Sequence, residues 1–244
     1  MAIITNLVGY WSLGEASGTR SDSVGANHLS DNNTVTSTTG QVGNCAQFVA
    51  ANTEYLSITD NTDLSMGNID FSIAAWVQLA DQFALNQLVA KSTGSDFAYH
   101  LFFNGGSTYR LKMEIANAVG LGGYDAIEAT TFGLPPQDTW FFVVGWYDSV
   151  ADTLNIQVND GTVDSKGNST GSFDDGGTFY LGRYDSFYFG GLLDEVGIWK
   201  KALTSAERTW LYNSGAGRSY ADIVAESSGA AALPFVMQLG YQRI

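Results

Sequence analysis

The sequence predicts an all-β domain in which two antiparallel sheets stack as a sandwich, with one short helix near the C-terminus. The 244-residue chain contains 28 glycines, and 13% of its residues are aromatic, a composition typical of many short strands joined by turns. Segments of alternating apolar and polar residues recur along the chain, with turn-forming pieces between them. Because all-β chains of this length commonly fold as one unit, we expect one main domain.

The strands are predicted from the alternation of their side chains. In residues 71–79 the odd positions are apolar, and Trp76 lies on the opposite face. Residues 139–147 are apolar on both faces, which is typical of a central strand. One further strand places four apolar residues on a single face: Tyr109, Leu111, Met113 and Ile115. Other strands are predicted at 9–13, 54–59, 87–91, 97–103, 153–158, 179–183 and 192–199.

The end of the chain contains the predicted helix. Thr204 is its predicted N-cap, Glu207 completes a capping box, and Gly215 is the predicted C-cap. The main domain is therefore predicted over residues 1–222. Residues 223–244 read as a small-residue linker and an apolar arm, which needs a docking surface because it is too short to form its own core.

The charge balance limits the partners. Eleven basic residues against 25 acidic residues give a net charge of −14, which repels nucleic acid and anionic lipid. Neutral glycans and cations are compatible with this charge. No segment approaches the roughly 18 apolar residues of a membrane helix, and the N-terminus has no basic region followed by an apolar core, so no signal peptide is seen.

Several segments resemble the laminin G-like domains of the concanavalin A-like superfamily, in particular those of bacteria and phages. The resemblance follows the family's order from residue 7 to about residue 215, and it implies a jelly-roll sandwich. The superfamily includes glycan binders, adhesion modules, cement proteins and enzymes, so the resemblance is much less specific for function. The segments that carry it are 9–30, 44–58, 71–77, 139–148, 154–161 and 190–215.

The resemblance also implies a structural calcium ion. The loop at 20–28 is rich in Asp, Asn and Gly, and such loops supply the oxygen ligands that calcium takes. In jelly rolls of this superfamily, calcium clips the early loop to a late strand, here 192–196. The matching positions are Asp22, a ligand near Asn27, and Asp194. The alternative is that Asp194 accepts backbone hydrogen bonds in a turn without a metal.

The acidic residues do not form a glycosidase pattern. Glycoside hydrolases need two carboxylates on either side of the scissile bond, and the related glucanases carry them in Glu-x-Asp-x-x-Glu or Glu-x-Asp-x-Glu strands that are missing here. Alternation places Asp194 and Glu195 on opposite faces, so Glu195 is expected to face outward or to pair with Lys200. His100 is expected to be a packed strand residue. The sequence therefore predicts a protein that is not an enzyme.

Glycan binding needs aromatic rings beside polar groups. Residues 182–191 are dense in aromatic side chains, and residues 120–128 are a predicted glycine-rich loop. Phe187 and Phe189 are expected to pack in the core or at a subunit interface. The candidate glycan-binding residues are Tyr124, Asp125, Tyr184, Asp185 and Tyr188.

These features predict a non-catalytic surface recognition or decoration module that touches host glycans. A domain that begins close to Met1 without a signal peptide is similar to phage capsid or tail proteins, so a virion-surface or extracellular location is expected. Residues 226–244 are expected to contact like or other virion subunits. The alternatives are a structural cement protein without a ligand and a carbohydrate-active enzyme.

Overall fold

A computed structural model describes residues 2–94, 96–117, 123–167, 172–174 and 176–229. The helices are α1 (Ser205–Tyr212) and α2 (Tyr220–Ser227). The strands are β1 (Leu7–Trp11), β2 (Ser30–Asn32), β3 (Thr36–Thr39), β4 (Asn44–Phe48), β5 (Tyr55–Ile58), β6 (Phe71–Leu79), β7 (Leu85–Ser92), β8 (Phe97–Asn104), β9 (Leu111–Ala116), β10 (Tyr124–Glu128), β11 (Phe141–Asp148), β12 (Thr153–Val158), β13 (Asp164–Gly167), β14 (Thr178–Leu181), β15 (Arg183–Tyr184), β16 (Phe187–Tyr188) and β17 (Gly191–Trp199).

Two antiparallel sheets form the predicted sandwich. The eight-stranded sheet has the order β13-β12-β11-β6-β17-β4-β3, and β1 also pairs with β17. The seven-stranded sheet has the order β10-β9-β8-β7-β14-β5-β2, and β15 and β16 form a separate hairpin. Strand β11 lies between β6 and β12, as expected for a central strand. The prediction of an all-β, jelly-roll sandwich is confirmed.

The main core lies between the two sheets, where side chains of alternating positions point inward. The predicted alternation in β9 is confirmed for Leu111, Met113 and Ile115, which are buried in this core. Tyr109 differs from the prediction. It precedes the strand, has a left-handed φ of 56°, and is 42% exposed. The odd positions of β6 are in the core, and Trp76 lies on the other face as predicted.

A second apolar cluster covers the outer face of the eight-stranded sheet. Its members come from the N-terminal segment, from strands of this sheet and from the helices. This cover explains why the segment at 139–147 is apolar on both faces, since each face of β11 meets an apolar layer. Members of the cluster include Ile3, Trp76, Phe142, Trp199, Leu211 and Ile223.

Helix α1 begins with the predicted capping box. The Thr204 hydroxyl accepts a hydrogen bond from the Glu207 N–H (3.3 Å), and the Glu207 carboxylate accepts one from the Thr204 N–H (3.0 Å). The helix ends earlier than predicted. Asn213 forms the C-cap with a left-handed φ of 49°, in place of Gly215, because Asn also tolerates this conformation.

Helix α2 corrects the prediction of one short helix, because the described chain contains two. It has its own capping box, in which Asp222 takes the place of the usual Glu or Gln and accepts from the Ser219 N–H (2.8 Å). Ile223 is fully buried, and the expected boundary after residue 222 therefore falls inside this helix. Residues 230–244 of the expected arm lie outside the described residues. Within the described ranges, no helix has the length and apolar character needed to cross a membrane.

Candidate functional site

The outer face of the seven-stranded sheet carries aromatic rings. In β14, Tyr180 lies between the core residues Phe179 and Leu181, so alternation places its ring on the outer side. In β8, His100 and Phe102 alternate with core residues in the same way. Rings from separate strands therefore meet on this face.

Three of the outer rings surround one arginine. The Arg183 guanidinium carbon lies 4.8 Å from the centroid of the Tyr55 ring, 5.3 Å from that of Tyr180 and 5.7 Å from that of Tyr188. Distances below about 6 Å allow attraction between a cation and an aromatic ring. The Arg183 Nε–H donates to the Asp185 carbonyl oxygen at 2.9 Å, which closes the β15–β16 turn. We call Tyr55, Tyr180, Arg183 and Tyr188 the Arg183 cluster.

A second group of rings continues from the Arg183 cluster. The Tyr184 ring lies 4.5 Å from the His100 ring and 5.7 Å, edge-on, from the Phe97 ring. Phe97 in turn lies 5.9 Å from Tyr124. These contacts connect β8, β10 and the β15–β16 hairpin across the sheet. We use the name aromatic face for the Arg183 cluster together with Tyr184, Phe97 and Tyr124.

The structure brings the three predicted tyrosines, Tyr124, Tyr184 and Tyr188, to this one face. Tyr124 is 54% exposed, and Tyr184 and Tyr188 are half-buried. Asp185 is exposed at the hairpin turn, with a left-handed φ of 52°. The segment around Tyr124 and Asp125 belongs to strand β10, which corrects its prediction as a loop.

Asp125 lies apart from the aromatic face. In the β9–β10 register it is opposite the core residue Ile115, whereas Tyr124 is opposite Ala116, so the two neighbours point to different sides. The Asp125 carboxylate lies 4.0 Å from the Lys166 ammonium. A ligand on the aromatic face would meet Tyr124 without meeting Asp125.

Sequence reasoning missed Tyr55, Tyr180, Arg183 and Phe97. Tyr55, Tyr180 and Arg183 lie in strands of two to four residues, and Tyr55 is far from Tyr180 and Arg183 in the chain. Phe97 begins β8 and meets the distant Tyr184 and Tyr124. The available signal was a large ring at an outward position, such as Tyr180 between two core residues. Of the two phenylalanines expected to pack in the core or at a subunit interface, Phe189 is fully buried in the core, whereas Phe187 is 47% exposed and is not a core residue. A subunit contact of Phe187 stays a prediction.

His100 is a packed strand residue, as predicted. It is buried, and its Nε2 contacts the side-chain oxygen of Gln87. Burial lowers the pKa of His100 to about 3, and the charge of Lys112 adds to the shift. The ring is therefore neutral at physiological pH and serves as a stacking partner, with the Phe102 centroid at 4.2 Å.

The loop predicted to bind calcium is held by backbone hydrogen bonds. Asp22 Oδ1 accepts from the N–H groups of Tyr10 and Val24, each at 3.0 Å. Its Oδ2 accepts from Gly25 at 3.0 Å and from Asn27 at 3.1 Å. A carboxylate offers about four lone-pair positions, and all of them are used here.

Asn27 is likewise held by hydrogen bonds. Its side-chain amide nitrogen donates to the Val8 backbone carbonyl oxygen (2.9 Å), and its backbone carbonyl oxygen accepts from the indole N–H of Trp11 (2.8 Å). Within the described residues, no group of three or more His, Cys, Asp or Glu side chains could hold a metal ion. The geometry of Asp22 and Asn27 fits a loop held by hydrogen bonds, and the calcium site at Asp22, Asn27 and Asp194 stays a prediction.

Asp194 is a loop anchor. It is fully buried, and its Oδ2 accepts from the Val42 N–H at 2.8 Å. Gly40 packs so closely that a Cβ there would lie 2.5 Å from the same oxygen. The other oxygen, Oδ1, is buried without a hydrogen-bond partner in the described chain. Burial raises the pKa of Asp194 to about 7.

Glu195 neither faces solvent nor pairs with Lys200, so its prediction is wrong. Its φ of 48° is left-handed, and the β17–β6 register shifts between Asp194 and Gly197, so a bulge interrupts the alternation. Glu195 is only 6% exposed and lies beside Tyr10, while Lys200 donates to a carbonyl oxygen instead. Burial raises the pKa of Glu195 to about 8, and the nearby Asp194 adds to the shift.

A groove of about 420 Å³ lies at the end of the eight-stranded sheet. Its size is within the range of small-ligand sites, but its walls are mostly polar or small residues with few rings. Its lining includes Thr38, Gln47, Gln78, Asp138 and Leu192.

Two stacked antiparallel sheets with strand β17 pairing both early and middle strands define a jelly-roll sandwich of the concanavalin A type. The chain belongs to the concanavalin A-like lectin/glucanases superfamily, because a laminin G family model of this superfamily matches residues 50–207. The resemblance seen in the sequence is thereby confirmed.

Solved structures share the fold at low identity. The binding domain of Paraclostridial Mosquitocidal Protein 1 has a TM-score of 0.69 and 16% identity, over 86% of this chain and 52% of that chain. Domain 4 of AbnA, an extracellular GH43 arabinanase from Geobacillus stearothermophilus, in complex with arabinotriose, has a TM-score of 0.64 and 19% identity, over 84% and 97%. The binding domain of botulinum neurotoxin DC in complex with SialylT has a TM-score of 0.63 and 12% identity, over 87% and 52%.

The chain thus spans about half the length of the two toxin domains. No curated protein matches it.

Proposed function

We propose that this domain is a non-catalytic carbohydrate-binding module and that the aromatic face holds the glycan. The observation that carries the proposal is the group of half-buried and exposed tyrosines collected from β5, β10, β14 and the β15–β16 hairpin. Sugar rings present C–H groups that stack on aromatic faces, and tyrosine adds a hydroxyl for hydrogen bonding. Strands lie about 4.8 Å apart, so β5 and β10 are separated by about 24 Å, which suits an oligosaccharide.

Two of the similar structures support this choice of ligand class. The arabinanase domain holds arabinotriose, and the botulinum domain is in complex with SialylT. The aromatic face is favoured over the groove on the other sheet because its rings can stack on sugars.

The placement of the adjacent acids supports a non-catalytic role. Asp194 and Glu195 are buried beneath the Val42 loop and Tyr10, so a glycan on the surface does not reach them. The aromatic face lies on the other sheet. We therefore propose binding without bond cleavage.

A glycan array followed by calorimetry of the array hits tests the proposal. Tyr180→Ala and Tyr184→Ala are expected to weaken binding of a hit about tenfold each, because each removes one stacking ring. Phe83→Ala is the matched control, since Phe83 is 59% exposed, contacts Tyr109 and lies outside the aromatic face. An array without hits, or alanine variants that bind as tightly as the wild type, would contradict the proposal.

We also propose that the domain decorates a virion surface and that residues 226–244 contact like or other virion subunits. The apolar stretch 230–239, AAALPFVMQL, supports such a contact because its side chains favour association with another apolar surface. The same contact would serve a cement protein without a ligand. The glycan array separates the two possibilities.

A further inference from the structure

Arg183 differs from the other basic residues near the aromatic face. On the β9 side of the sheet, Arg110 lies 3.8 Å from Glu128, and Lys112 lies 2.9 Å from Glu114. Among the described residues, no carboxylate oxygen lies within the 4.0 Å ion-pair distance of an Arg183 nitrogen. Within the described ranges Arg183 is thus a cation without an anionic partner, in a chain of net charge −14.

The surroundings of Arg183 hold its guanidinium in place. Three tyrosine rings lie within 5.7 Å of the guanidinium carbon, and the Nε–H donates to the Asp185 carbonyl oxygen. The two terminal nitrogens donate to no group in the described chain, and the side chain is half-buried. A positioned guanidinium keeps a planar edge of N–H groups for a ligand.

We propose that Arg183 binds the carboxylate of an acidic sugar, a uronic or a sialic acid residue, on the aromatic face. This inference rests on the proposed glycan-binding function and adds the ligand class. Guanidinium and carboxylate match as a pair of parallel hydrogen bonds, which are shorter and stronger than hydrogen bonds to neutral hydroxyls. Tyr180 and Tyr188 would stack on the sugar rings beside the carboxylate.

The negative charge of the chain does not prevent this contact. At physiological salt the screening length is about 8 Å, so acidic groups farther than this from Arg183 have little effect on a bound carboxylate. They slow the approach of an acidic glycan instead. Of the acidic side chains of β9 and β10, Glu114 pairs with Lys112, Glu128 with Arg110 and Asp125 with Lys166.

Calorimetry of the full chain with two matched pairs of sugars tests the inference. The pairs are trigalacturonate with its methyl ester, and 3′-sialyllactose with lactose. We expect the acidic member of at least one pair to bind about tenfold tighter than its neutral counterpart, because hydrogen bonds to charged groups are the stronger ones. Arg183→Gln should remove this preference, so that the acidic and the neutral member of the pair bind with equal affinity.

Arg110→Gln is the control, because Arg110 already has a carboxylate partner and lies outside the aromatic face. It should leave the acid preference unchanged. Equal binding within both pairs, or a preference that persists in Arg183→Gln, overturns the inference while the glycan-binding proposal stands. Binding of none of the four sugars also overturns the inference, whereas the proposed function is judged by the array.

Discussion

Asp22 fixes the loop at 20–28 against β1 through four backbone hydrogen bonds. An Asp in a loop rich in Asn and Gly is equally suited to bind a cation or to accept backbone N–H groups. Residue type and spacing cannot separate these roles. The positions of the surrounding N–H groups distinguish the two roles, because they determine whether any carboxylate lone pair is left for a metal.

Asp22→Ala is expected to lower the free energy of unfolding by about 3 kcal/mol, because it leaves the buried N–H groups of Tyr10 and Asn27 without an acceptor. Urea unfolding in calcium and in EDTA measures this change, and we expect equal stability of the wild type in both. The exposed Asp185→Ala is the control, with an effect below about 0.5 kcal/mol. A calcium-dependent stabilisation that disappears in Asp22→Ala would instead support the calcium clip, which remains a prediction.

Strand β17 shows how one irregular position changes an element. The bulge at Glu195 removes the alternation between Asp194 and Val196, and both acids lie on the outer side of the sheet beneath other chain segments. Period-two reasoning assumes a regular strand, so it placed them on opposite faces. The left-handed residue at position 195 is a glutamate and not a glycine, so the sequence does not indicate the bulge.

The bulge makes stability depend on pH. Burial raises the pKa of Glu195 to about 8, above the value of about 4.3 in unfolded chains, so the folded protein binds more protons between these values. The free energy of unfolding therefore falls as pH rises through this window. At low pH, a protonated Glu195 can donate to the Tyr10 hydroxyl, which itself donates to the Arg218 carbonyl oxygen (3.2 Å).

Glu195→Gln is expected to flatten this dependence, because glutamine stays neutral and can still donate to Tyr10. We expect the variant to be more stable than the wild type at pH 9, by on the order of 2 kcal/mol, and about equal to it at pH 5. Urea unfolding at the two pH values gives the comparison. A stability difference that is the same at both would contradict the pKa assignment.

The two outer faces of the whole molecule are used differently. Helices α1 and α2 and the N-terminal segment cover the eight-stranded sheet, whereas the outer face of the seven-stranded sheet presents the tyrosines. The apolar clusters extend from Ile3 to Ile223, so the chain through α2 contains every described core residue. Folding and the proposed assembly contact can therefore be tested separately.

Two truncations make this test. A chain that ends at Gly229 is expected to keep its melting temperature within about 2 °C, because α2 is intact. A chain that ends at Asp222 is expected to melt several degrees lower, because it loses the buried Ile223. Size-exclusion chromatography with light scattering should show that the full chain associates and the Gly229 chain does not. Equal masses would argue against the assembly contact.

The sequence determined the sandwich because alternation, turns and capping are local. The faces of β6 and β9 and the start of α1 follow from neighbouring residues and were predicted. The sequence identified the tyrosines at 124, 184 and 188 as candidates, but it did not show which residues surround them. Tertiary structure alone decided that Tyr55 and Tyr180 contact Arg183 and that Glu195 is buried. It also decided that the Asp22 carboxylate accepts hydrogen bonds from backbone N–H groups. The contact of Tyr55 with Arg183, the hydrogen bond of Asp22 with Tyr10 and the burial of Glu195 join segments distant in the chain. No local pattern specifies which distant atoms come within hydrogen-bonding or stacking distance.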